Sequence, residues 1–82
     1  MMKHTVRTTD QLAKVIQGIR KQTGQSQLMI ADKVGMLQKT VSLIETNPDH
    51  VSLSSLFKVL SALNLELVLQ DKSQITDTQD VW

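Results

Sequence analysis

Cysteine is absent from the 82 residues, so neither a disulfide nor a thiolate-bound metal holds this chain together. Long apolar runs are absent as well: none approaches the roughly 20 residues of a membrane-spanning helix. The opening MMKHTVRTTDQ has no apolar stretch behind its basic residues, so no secretory signal is expected. The three glycines stand far apart, which excludes a glycine-rich phosphate loop. His4 and His50 are isolated, without a second ligand at helical or turn spacing, and no metal site or cofactor is expected. Ser42 has no histidine or lysine base nearby in sequence and no glycine elbow, so it is no candidate nucleophile. The chain does not read as an enzyme.

A large net charge is also missing, but the charge that is present is unevenly placed. Residues 1–44 carry seven Lys or Arg against two acidic residues, and residues 45–82 carry two against six. The first half therefore suits a polyanion and the second half avoids one. Without its polar end the chain has about sixty residues for a core, a size at which folding alone is marginal, so a second copy is expected to help.

Helical periodicity is clear in four places. Leu12, Val15, Ile16 and Ile19 mark a first helix from Thr9 to Thr23, with Thr8 as cap, Gln11 three residues on as its capping-box partner, and Gly24 as the stop. Ser26 caps a second over 27–33, which buries Ile30, Ala31 and Val34 and breaks at Gly35. A third runs over 38–46 and buries Val41 and Ile44, before a turn at Asn47-Pro48-Asp49. The fourth follows Ser52 and is expected to bury Leu53, Leu56, Phe57, Leu60 and Leu63.

The period then changes. Leu65, Leu67 and Leu69 alternate with Glu66, Val68 and Gln70, a strand pattern over 65–70. One strand cannot satisfy its own backbone, and no second is apparent, so pairing with the same strand of a second subunit is expected. The competing reading continues the fourth helix through Leu69. Residues 71–82 are polar and acidic, read as a flexible tail that ends in the sole tryptophan, Trp82. That residue is either frayed and idle or an aromatic anchor for a partner.

Residues 27–45, QLMIADKVGMLQKTVSLIE, form two short helices around a glycine turn. Small Ala31 lets the helices cross closely, and Val34, Met36, Val41 and Ile44 fill the space behind them. The outer face of the second would carry Gln38, Lys39, Thr40, Ser42 and Leu43, with no carboxylate before Glu45. Amides, hydroxyls and one cation suit base edges and phosphates, and leucine suits a thymine methyl.

In Gln27, Ile30-Ala31, Gly35, Gln38, Thr40-Val41-Ser42 and Glu45 this segment resembles the helix-turn-helix of the lambda-repressor-like (Cro-type) family. The resemblance extends over about residues 9–64. Within that family the chain is most similar to HipB-type antitoxins, the partners of HipA-type kinase toxins. Thr8-x-x-Gln11-Leu12-Ala13, Asn47-Pro48-Asp49, the closing strand and the tail ending in tryptophan carry that likeness. It implies an all-α fold with one short C-terminal β-strand: a four- to five-helix DNA-binding and dimerisation domain over 1–70, paired through intersubunit strands.

The family also implies roles for residues. Gln27 would hold a phosphate, Gln38, Lys39 and Thr40 would face bases with Leu43 beside them, and Ser42 and Asn47 would lie near the DNA backbone. Arg20 and Glu45 would form a structural ion pair, and Trp82 would engage the partner. Expected partners are an inverted-repeat operator, a second copy and a HipA-like kinase toxin, with no membrane, in the cytoplasm at the nucleoid. The alternatives are a stand-alone phage- or plasmid-type repressor, or a protein-binding adaptor. Leu37, Leu28 and Met29 depart from the family pattern, which places polar residues there.

Overall fold

The computed structural model of the chain describes residues 3–72. Four α-helices are present among them: α1 (Thr9–Gln22), α2 (Gln27–Val34), α3 (Gln38–Thr46) and α4 (Leu53–Ala62), with a single 3-10 turn at Pro48–His50. Short side-chain oxygens start three of the four. Thr8 accepts from the Gln11 amide, Ser26 from Met29 and Ser52 from Ser55, each satisfying one donor that the first helical turn leaves unpaired. The Gln11 side chain reaches back to the Arg7 amide at 2.6 Å, one residue beyond the cap amide that a capping box would bond. Leu37 precedes α3 and gives no side-chain cap.

Left-handed residues stop three of the four helices, α1, α2 and α4. At Gly24 (φ 73°) the next amide, that of Gln25, donates to the Arg20 carbonyl at 3.1 Å. Asn64 (φ 61°) does the same after α4, where the Leu65 amide donates to Leu60 at 2.8 Å. This double-bonded stop satisfies the last carbonyls. It also overturns the reading in which α4 runs on to Leu69. Residues 65–70 belong to no helix, and no strand ladder is present among the described residues.

The core joins all four helices. Ile16 of α1, Ile30 and Ala31 of α2, Val41 and Ile44 of α3, and Val59, Leu60 and Leu63 at the end of α4 are buried together. Removing one of the larger side chains costs about 2–5 kcal/mol, a large part of what a domain this size holds. Ala31 is fully buried in this cluster, and its single methyl leaves room for helices to pack closely around it.

On α4 the inward stripe is Leu56, Val59, Leu60 and Leu63, and Val59 is completely enclosed. Leu53 and Phe57, expected in the core, are 70% and 48% exposed. The helix carries two overlapping apolar stripes, and only one meets its own core. The part of the other that is not shared, Leu53 and Phe57, remains outside, as do Leu67, Val68 and Leu69.

Candidate nucleic-acid interface

The site is assembled from the core outward. Glu45 lies on the inner side of α3 with its side chain fully enclosed, and Arg20 of α1 reaches it almost as deeply. The Arg20 Nε donates to Glu45 Oε2 at 2.6 Å and a terminal nitrogen donates to Oε1 at 3.0 Å. The remaining terminal nitrogen donates to the Gln25 carbonyl at 2.9 Å, so all three guanidinium nitrogens are engaged. Burial pushes the Glu45 carboxyl up, but hydrogen bonds from Arg20, Gln27 and Gln17 and the attraction of the guanidinium outweigh it. The group stays below the ordinary carboxylate range. Arg20 holds its proton more tightly for the same reason, first through its hydrogen bond to Glu45.

From this pair a chain of amides leads to the surface. Gln27, the first residue of α2, donates its Nε2 to Glu45 Oε1 at 3.1 Å. Gln38, the first residue of α3, donates its Nε2 to Gln27 Oε1 at a long 3.5 Å. A carboxylate only accepts, so Glu45 fixes which end of the Gln27 amide turns inward. The Gln27 oxygen then points to Gln38, and Gln38 keeps one N–H and its own oxygen free. One donor beside one acceptor matches the N7 and N6 edge of adenine in the major groove.

The remaining residues of the proposed face are graded by depth. Gln38 and Lys39 are exposed, while Thr40, Ser42 and Leu43 are half-buried. Those three sit on the flanks of α3, between the outward Lys39 and Thr46 and the inward Val41, Ile44 and Glu45. The Ser42 carbonyl accepts from the Thr46 hydroxyl at 2.8 Å. Asn47 is exposed just past the end of α3, and its amide donates to Leu43 at 2.7 Å. Leu28 and Met29 on the first turn of α2 and Leu37 before α3 are exposed. Trp82 lies outside the described residues.

Sequence reasoning missed the link from Gln27 to Glu45, because the two stand 18 residues apart and meet only when α2 crosses α3. The Gln25 carbonyl was missed too, since a main-chain acceptor leaves no mark in residue type. Among the described residues no three His, Cys, Asp or Glu side chains gather as a metal site. No helix among them is long and apolar enough to cross a membrane.

The chain is similar to known proteins in sequence and in fold. The family model described as "Helix-turn-helix" matches residues 11–70. Antitoxin HipB of Escherichia coli O6:H1 (strain CFT073) is 43% identical over 61 residues, 74% of this chain and 65% of that one. Antitoxin HipB of Escherichia coli K12 is 41% identical over 61 residues, covering 74% and 69%. The match thus spans about two thirds of the length of these curated relatives. Among solved structures, a HipA-HipB-O2-O3 complex contains a chain that superposes with a TM-score of 0.84 at 35% identity, covering 87% of this chain and 100% of that one. A HipB-O4 20mer complex gives the same values.

Proposed function

The chain belongs to the helix-turn-helix family, among its HipB-type antitoxins, and on that footing we propose that it is the antitoxin of a HipA/HipB-like toxin–antitoxin pair. It binds an operator as a dimer, represses its own operon, and binds and restrains a kinase toxin. It acts by binding and not by catalysis, in the cytoplasm at the nucleoid.

One observation supports this reading above the others. The first residues of α2 and α3 are tied to each other through Gln27 and Gln38 and anchored behind to buried Glu45. Such a pair of helix starts is preorganised, so little side-chain freedom is lost on docking. In this reading Gln27 contacts a phosphate, and Gln38 reads adenine with Lys39, Thr40 and Leu43 beside it. Ser42 and Asn47 approach the DNA backbone, and the Arg20–Glu45 pair serves the fold.

The DNA-binding and dimerisation unit spans 1–70, followed by the tail. Residues 65–70 of two copies pair as antiparallel strands, which gives the backbone there its partners and covers Leu67, Val68 and Leu69. Two copies of α3 then enter successive major grooves about 34 Å apart on an inverted repeat. Trp82 enters a pocket of the toxin.

The test is a fluorescence-anisotropy titration against operator and random duplexes across a salt series, with co-purification of a co-expressed kinase-like product from the same operon. Affinity for DNA is expected to fall steeply with salt and the kinase to co-elute. A flat salt response refutes the DNA reading, and failure of the kinase to co-elute refutes the antitoxin reading.

A further inference from the structure

Leu37 is 71% exposed, and its position gives that exposure a use. A lone leucine at a protein surface is ordinary; one at the entrance to a DNA-reading helix is not. It immediately precedes α3 beside Gln38, and its carbonyl accepts from the Thr40 and Val41 amides at 3.0 and 3.4 Å. Its main chain thus starts the helix while its side chain does nothing for it, since no side-chain cap is made. Serine, threonine or aspartate there would satisfy an amide of the first turn. The local fold gains nothing from leucine.

The surroundings decide what leucine is for. Its neighbours in sequence along the front of α3, Gln38 and Lys39, are polar and exposed, and no acidic side chain stands on α3 before the buried Glu45. That setting favours an anionic occupant over an apolar protein surface. The apolar group a duplex offers in its major groove is the thymine 5-methyl.

We infer that Leu37 is a specificity-determining residue that packs on a thymine methyl next to the base read by Gln38. This rests on the proposed DNA-reading role of α3. Two copies in a dimer would require one such thymine in each half-site.

The experiment uses the full chain and finds the operator by selection. Wild type, Leu37→Ala and Leu37→Met each select sites from a random duplex library. Thymines in the selected site are then replaced one at a time by deoxyuridine, which removes the methyl and keeps the pairing. Wild type and Leu37→Met are expected to select thymine at one position per half-site. Its replacement should weaken both by about fourfold per half-site, the value of one buried carbon. Leu37→Ala should still select the remainder of the site but tolerate any base, and deoxyuridine, at that position. Equal deoxyuridine responses of wild type and Leu37→Ala at every position overturn the assignment while leaving the DNA-reading role intact. Failure of wild type to select any sequence overturns both. Thermal melts are expected to coincide, because the side chain stands in solvent.

Discussion

Replacing Glu45 by glutamine removes a buried charge while keeping the shape of the side chain. The carboxylate is fully enclosed, Arg20 is only 11% exposed, and the two share bonds of 2.6 and 3.0 Å. Glutamine keeps the shape and removes the charge, which leaves the guanidinium desolvated without a counterion. Breaking one side of such a pair costs about 3–5 kcal/mol. In a domain of this size each kcal/mol moves the melting temperature by roughly 4–8 °C, so the expected fall is roughly 12–40 °C. Circular dichroism at 222 nm follows it.

Acid adds a second readout. The folded carboxyl ionises below its ordinary range, so its contribution is complete above the unfolded value of about 4.3 and drains away as pH falls through the folded one. The gap between wild type and Glu45→Gln should hold constant from neutrality down to about pH 5 and narrow below that. The double variant Arg20→Met/Glu45→Leu should melt near or above wild type, since apolar isosteres of a buried pair are often neutral or stabilising. A Glu45→Gln melt within about 3 °C of wild type refutes the burial argument, because it corresponds to less than 1 kcal/mol.

Three further outcomes are expected. Gln38→Ala should cost about 1–3 kcal/mol at the selected operator and relax preference at one base pair while sparing scrambled DNA, whereas Gln27→Ala should weaken scrambled duplexes too and, by freeing the Gln38 amide, blur that same preference; anisotropy against operator and scrambled DNA separates them. Leu67→Lys with Leu69→Lys should dissociate the dimer at micromolar concentration, read by sedimentation, while a monomer fold persists in circular dichroism; an unchanged sedimentation coefficient refutes strand pairing. Deleting Asp80 to Trp82 should leave operator affinity unchanged and abolish kinase capture in pull-down; capture at wild-type level removes the role proposed for Trp82.

The helices were legible because their starts are chemical and their faces periodic. Thr8, Ser26 and Ser52 announce α1, α2 and α4 with side chains that accept from the third following amide. Gly24 and Gly35 mark stops that need positive φ. Asn64 does the same work at the end of α4 but is a weaker signal, and helix-compatible Leu, Glu and Gln beyond it kept the longer helix open. Leu53 and Phe57 were misread for a different reason. Period alone cannot choose between the stripe 53/56/57/60 and the stripe 56/59/60/63, because both are helical and both apolar. The choice belongs to tertiary packing, which takes Val59 into the cluster with Ile16, Ile30 and Ile44. The surplus stripe fits the proposed dimer, which would need apolar surface left uncovered on each copy.

The interface was legible as a set of residue types and not as a mechanism. Amides and a lysine without carboxylates are visible in QKTVS, but direction is not. That Gln38 offers one donor and one acceptor follows only from the order Arg20, Glu45, Gln27, Gln38. In that order the buried carboxylate belongs to the core by its burial and to the reading face by its hydrogen bond. Replacing it and Arg20 with apolar residues would restore packing while releasing the Gln27 amide to rotate. A stable fold with blurred adenine preference is then the expected state. Stability and specificity thus meet in one side chain, and only a variant that keeps the first can expose its share of the second.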